Sequence, residues 1–289
     1  SFDFGEYCVR VAGALASEAE VLLLLPEREA GPYVHLLPRN VTLRVFSKPR
    51  LREPLRQIRT VARLVAQIQR FNPDVIHLQS GHLWFNCALP LLKKFPLVIT
   101  MHDPVRHAGD LGAQKTPQWL IDFGYRRARE IIVHAPQLKN EAAGRLGFAS
   151  SSIHVIPHVL LGDDEVYRHL PEDGNMVLFF GRIWPYKGLE YLIRAEPYIT
   201  AQAPGAKIVV AGEGEPFDRY RRMMIHPDRF VVHNGYIGDH MRSELFRQAS
   251  VVVLPYIEAS QSGVIPLAYR FGKPVVATNV GGLPEMVRD

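Results

Sequence analysis

The sequence predicts an α/β protein built from two Rossmann-like halves facing a cleft, and three observations predict it. Short apolar runs of strand length alternate with stretches of helical periodicity, the rhythm of parallel sheets covered by crossover helices. That rhythm runs twice, on either side of an aperiodic stretch at 157–174 that holds turn residues. The length, 289 residues, suffices for two ordinary domains.

Taken in order, the first half carries apolar runs at 20–25, 41–46, 75–78, 97–101, 130–134 and 153–156, each of strand length. Helical spacing occupies 6–16, 55–71, 86–94, 118–127 and 136–146. In 55–71, Leu55, Ile58, Val61, Ala62, Val65 and Ile68 recur at three- and four-residue steps, which predicts that this stripe packs on the sheet. Arg52, Arg56, Arg59, Arg63 and Arg70 decorate its flanks, a face that suits either solvent or an anionic membrane surface. The second half predicts strands at 176–180, 207–211, 230–234, 251–254 and 274–278, with a helix over 263–271 among those between them. The boundary is placed in the aperiodic stretch, giving domains 1–162 and 163–289. Both ends read as cut. A doubly wound domain usually begins with a central strand, yet this chain enters a helix within about six residues. It stops soon after the Gly281-Gly282 turn.

Composition bounds the function. Hydrophobic residues make up 47% of the chain, which excludes a disordered protein. Cys8 and Cys87 form neither a metal spacing nor a disulfide framework, so a reducing cytoplasm is expected. No apolar run approaches the ~20 residues of a membrane span, and no signal peptide is visible. The net charge of +5 suits phosphorylated substrates, anionic lipid or nucleic acid. No zinc-finger spacing or aromatic–basic RNA signature accompanies the arginines, which argues against nucleic acid.

The chemistry gathers after the 176–180 strand. Gly181, Arg182, Lys187 and Gly188 follow it on one loop, and a helix opens at once with Leu189, Leu192 and Ile193 on its apolar face. Two cations and a helix N-terminus aimed at one point beyond a strand's C-terminal edge make a place to hold a diphosphate. Alone, the pair reads equally as a solvated turn. After the 251–254 strand, Ser262 and Gly263 stand at a second helix start, with Glu258 beside them as an acceptor for sugar or ribose hydroxyls. Ser262 alone reads as readily as the cap of a core helix.

The runs GRIWPYKGLEYLIRA, VVAGEGE, NGYI and LPYIEASQSGVIPLAYRFGKPVVATNVGGLPE occur in that order from Met176 onward. Together they resemble the donor-binding domain of a GT-B glycosyltransferase of family 4. The first half is similar more loosely, through NPDVIHLQS, LVITMHDP, IIVHAPQLKNEAAGRLG and IHVIPH, and through Asp3-Phe4-Gly5-Glu6 at the place of a glycine loop beside the donor phosphates. The resemblance implies that Arg182 and Lys187 bind the donor diphosphate, with Gly5 and the backbone of Ser262, Gly263 and Val264 on its phosphates. It implies that Glu258 and His102 lie against the transferred sugar, and that the loop of Tyr236 and Ile237 holds the base, with Glu213 nearby. One departure stands out. The second glutamate common in this family is replaced by Pro266 or Leu267, depending on the alignment gap.

His77, His134 and His158, at comparable strand ends, read as structural, and no HExxH-type spacing is present. Asp163-Asp164 falls in the linker, so no metal and no cofactor is expected beyond the nucleotide-diphosphate sugar. What the resemblance implies is a retaining, metal-independent, cytoplasmic transferase, with a glycan or lipid-linked acceptor in envelope or polysaccharide synthesis. The alternatives are a phosphorylase or epimerase on the same architecture, or a non-catalytic sugar-nucleotide-binding scaffold. No pyridoxal-type lysine site supports a phosphorylase.

Overall fold

The structure is a computed structural model that describes residues 4–79, 81–104, 117–161 and 174–287. The described residues fall into two compact units, one reaching Val159 and the other beginning at Leu160. The Asp163-Asp164 pair and Asp3 lie outside the described residues.

The first unit opens with the helix Gly5–Leu15 and holds six strands, β1 (Val21–Pro26), β2 (Val41–Phe46), β3 (Ile76–Leu78), β4 (Leu97–Thr100), β5 (Glu130–Val133) and β6 (Ile153–Val155). All pairings are parallel, as strands joined by helical crossovers require. The sheet is divided: β1 pairs with β2, and β3 to β6 form a separate sheet in chain order. The edges of β1 and β3 line one cavity of about 720 Å³, walled by leucines such as Leu22 and Leu24 and closed by Cys8 and Leu64 from two helices.

The helix Pro54–Phe71 starts on a proline, whose missing N–H costs nothing at that position, and ends at Asn72 in the left-handed region at φ 51°. Its buried face is Gln57, Val61, Leu64, Val65 and Ile68. The stripe read from sequence is therefore rotated. Leu55 and Ile58 are 72% and 54% exposed, while Gln57 turns inward and donates its amide to the Pro49 carbonyl at 2.8 Å. A buried amide is tolerated when it finds such a partner, so apolar spacing alone misjudged the phase near the first turns.

The second unit is one parallel sheet of β7 (Met176–Phe180), β8 (Lys207–Gly212), β9 (Phe230–Asn234), β10 (Val251–Leu254) and β11 (Val275–Ala277), in the order β11-β10-β7-β8-β9. β7 and β8 are buried on both faces. Met176, Leu178, Val209 and Ala211 pack into one apolar layer, and Val177, Phe179, Ile208 and Val210 into the other. That explains why these strands read as continuous apolar runs rather than alternating ones. Crossovers on both sides bring the loops that follow β7, β8, β9 and β10 to one edge of the sheet, where such folds hold ligands.

Leu178 is wholly buried in the middle of this sheet. Leu178→Ala is expected to destabilise the second unit by about 2–5 kcal/mol, read as a lowered midpoint in urea denaturation followed by far-UV circular dichroism.

Candidate functional site

The candidate site of the second unit is built from loops strapped to one another by backbone hydrogen bonds. Gly181 N–H donates to the Ala211 carbonyl at 2.9 Å, and Ile183 exchanges bonds with Glu213 and Glu215 at 2.9 and 3.0 Å, tying the β7 loop to the β8 loop. Gly235 N–H donates to Gly212 at 3.0 Å, adding the β9 loop. Ile257 N–H donates to the Tyr186 carbonyl at 2.8 Å, adding the β10 loop. Two glycines make this close approach feasible. A Cβ on Gly212 would strike the Gly181 carbonyl, and one on Gly188, itself at φ 64°, would strike the Pro255 carbonyl.

On this frame the single turn Pro185–Lys187 carries Lys187 back toward the β10 loop. Its Nζ lies 3.7 Å from the centroid of the Tyr256 ring, a cation–π contact. Tyr256 is buried, and its hydroxyl lies 3.4 Å from Ser262 Oγ. Burial raises its pKa to about 12, opposed by the Ser262 hydrogen bond and by the charge of Arg182. Lys187 and Ser262 thus meet at one aromatic ring, within the electrostatic reach of Arg182. The sequence reading missed Tyr256; the signal was an aromatic residue directly before the Glu258 loop. Thr278 Oγ1 donates to the Tyr256 carbonyl at 2.6 Å and pins it from the β11 side.

The other second-unit residues read from sequence lie on loops at the same edge of the sheet. Ser262 is buried, and its Oγ, one residue ahead of the N-cap Gly263, accepts the Val264 N–H at 3.3 Å, so it ties down the start of the helix Val264–Arg270 as well as facing Tyr256. Glu258 is exposed on the strapped β10 loop. Glu213 is exposed on the β8 loop, and Tyr236 stands 73% exposed after β9. Ile237 beside it is half-buried against the core. Pro266 and Leu267, where the second glutamate would fall, lie in the helix Val264–Arg270, and Leu267 is core.

Gly5 and His102 belong to the first unit. The Gly5 N–H donates to the Glu29 carboxylate at 3.2 Å, and Glu6 pairs with Arg10 at 3.0 Å. His102 follows β4, 3% exposed, with Phe4 stacked on its ring at 4.0 Å. It does not stand alone. The rings of His134 and His158, which follow β5 and β6, lie 5.0 and 6.1 Å from it, and Tyr7 packs edge-on at 4.9 Å. Burial, then the neighbouring His134 and His158, hold His102 well below the usual histidine range. Burial likewise lowers His134, and pushes His158 down to about 4. A network runs on from His102 Nε2 to Gln79 Oε1 at 3.4 Å, from Gln79 Nε2 to His77 at 3.1 Å, and from His77 to Thr100 at 2.8 Å. No helix among the described residues is long and apolar enough to cross a membrane.

Comparisons with known proteins agree with this architecture. The family model described as Glycosyltransferase Family 4 matches residues 5–159, and the one described as Glycosyl transferases group 1 matches 174–289. The chain is 35% identical to a D-inositol 3-phosphate glycosyltransferase of Mycobacterium bovis over 247 residues, 75% of this chain and 49% of that protein. It is 37% identical over 120 residues to an uncharacterized glycosyltransferase of Methanocaldococcus jannaschii, 40% of this chain and 30% of that one. The chain therefore spans half or less of the length of these curated relatives. Among solved structures, sucrose-phosphate synthase of Thermosynechococcus elongatus superposes with a TM-score of 0.66 at 18% identity, over 95% of this chain and 75% of that one. That likeness concerns the fold, GT-B.

Two outcomes follow from the geometry. Gly188→Ala, which combines a left-handed backbone with a clash on Pro255, is expected to cost about 1–3 kcal/mol, measurable as a lower thermal midpoint. Burial pushes His77 and His82 from 6.5 down to about 4. Both stay neutral in the folded state while the unfolded chain binds protons below pH ~6.5. Their stabilisation is complete above that value and is lost as pH falls toward about 4. The thermal midpoint is thus expected to drop between pH 7 and pH 5, before carboxylates titrate; a flat midpoint across that window contradicts it.

Proposed function

Because the chain belongs to glycosyltransferase family 4, we propose that it transfers a sugar from a nucleotide-diphosphate donor to a glycan or lipid-linked acceptor, with retention of configuration. The observation that carries this reading is the meeting of Lys187 and the Ser262 turn at Tyr256, with the Arg182 charge in reach of the same ring. As the bond from the anomeric carbon to the diphosphate oxygen breaks, negative charge accumulates on the departing phosphate. Fixed cations and N–H donors stabilise that charge most where they need no reorganisation. Lys187, held over the Tyr256 ring, and Arg182 supply the cations, and Ser262 and Gly263, just ahead of the helix Val264–Arg270, supply the amides. A metal ion is not needed in this step.

Glu258 takes hydroxyls of the transferred sugar, a role the family resemblance implies for His102 as well. Tyr236 and Ile237 offer a face to the base, with Glu213 accepting a ribose hydroxyl in place of the second glutamate. The acceptor hydroxyl attacks the anomeric carbon from the side the diphosphate leaves. Its oxygen forms the new bond while its proton passes to the departing phosphate oxygen. For Gly5 to offer its N–H to a donor phosphate, the Glu29 carboxylate must release it. On the first unit, Leu55 and Ile58 emerge beside Arg52, Arg56, Arg59 and Arg63, a face suited to an anionic membrane that carries lipid-linked acceptors.

A panel of nucleotide sugars, assayed for transfer and for donor hydrolysis, tests the reading. Arg182→Ala and Lys187→Ala are each expected to lower turnover by about 10²–10³ while far-UV circular dichroism stays unchanged. Undiminished turnover in both variants refutes it.

A further inference from the structure

The first unit contains a cluster that the transfer reaction does not explain. His102, His134 and His158 come from the C-terminal ends of three neighbouring strands, β4, β5 and β6, so the parallel register itself gathers them. One ring nitrogen of each is engaged. His102 Nε2 faces Gln79 Oε1 at 3.4 Å, His134 Nδ1 donates to the Ile156 carbonyl at 2.8 Å, and His158 Nδ1 donates to the Val159 carbonyl at 2.8 Å. With its proton on the engaged nitrogen, each neutral ring presents its other nitrogen as a bare lone pair.

Those lone pairs are short of donors. His102 Nδ1 and His134 Nε2 are buried without a hydrogen-bond partner. A buried acceptor left unsatisfied costs about 1–3 kcal/mol, so two beside each other call for an occupant. The rings cannot satisfy one another, because each has already committed its proton. A water molecule has two protons for three lone pairs. A cation serves all three, and the potential ligand atoms of the trio lie within 4.8 Å of one another. Metal–imidazole bonds run about 2.0–2.1 Å, so each nitrogen moves inward by less than about 1 Å to close on an ion. The engaged nitrogens bond to backbone or amide oxygen, the support that metal-binding histidines ordinarily have. Asp103 and Glu6 lie near enough to exert a favourable negative field on the rings. Tyr7 walls the cluster, with its ring 4.9 Å from His102 and 5.1 Å from His158.

We propose that His102, His134 and His158 form a three-histidine site for a divalent transition metal of the zinc class, with the fourth coordination position open. Imidazole sets of this kind suit zinc, copper, iron and nickel rather than magnesium or calcium. The proposal assigns this metal no part in leaving-group stabilisation. The site does engage the ring that the transfer reading sets beside the sugar, so metal and donor would compete for His102. That consequence rests on the transfer reading; the metal site does not.

Titrating the chelator-treated full chain with Co²⁺, followed by visible absorption, decides the matter without any activity measurement. Saturation at one ion per chain, with the d–d bands of a four-coordinate site of three nitrogens and one solvent ligand and displacement by an equivalent of Zn²⁺, is the expected result. His134→Gln and His158→Gln should each weaken the binding by at least about tenfold, since even partners behind a ligand have that effect. Absence of saturable Co²⁺ binding in the unsubstituted protein overturns the proposal, as does equal affinity in variants that circular dichroism shows to be folded.

Discussion

Backbone packed directly on backbone at the C-terminal edge of the second sheet is the constraint on which the candidate donor site depends. Strands about 4.8 Å apart bring their following loops close together, but side chains would normally hold them apart. Gly212 against Gly181, and Gly188 against Pro255, remove that obstacle. The hydrogen bonds from Gly181, Ile183, Gly235 and Ile257 then lock the loops in place. Only because that lock exists does the short turn Pro185–Lys187 return Lys187 to the face of Tyr256. Charge placement here is a by-product of main-chain closeness.

Much of this was legible in the sequence, and the parts that were not share a physical cause. The strand at Met176–Phe180 and the helix at Pro136–Leu146 could be read to the residue, because an apolar run bounded by polar turns, or a proline start with a glycine stop, is local information. The loop cations were legible for the same reason. The phase of Pro54–Phe71 was not, because Gln57 is buried through a carbonyl eight residues away, a tertiary fact that outranks hydropathy. Tyr256 looked like one more aromatic after a strand; its importance comes from what three loops bring to it. His134 and His158 each read as a solitary histidine, and their company with His102 exists only once β4, β5 and β6 are aligned.

The two units therefore treat charge in opposite ways. In the second, positive side chains meet near an exposed loop edge, where solvent and ligand can reach them. In the first, neutral imidazoles sit among Tyr7, Phe4 and one another, and burial keeps them unprotonated. A polar cluster in such low-dielectric surroundings is sensitive to a single missing partner, whereas exposed cations are buffered by water and salt. Ionic strength should therefore register in the second unit more strongly than among the histidines of the first.

The edges of β1 and β3 face one apolar slot. Both line the cavity walled by Leu22 and Leu24, and neither has a strand neighbour on that side among the described residues. A strand edge along an apolar slot is a template for an extended segment. Such a segment would gain both a hydrogen-bond ladder and about 25 cal/mol for each Å² of apolar surface it covers. An extended segment seated there would join β1 to β3 and unite the divided sheet.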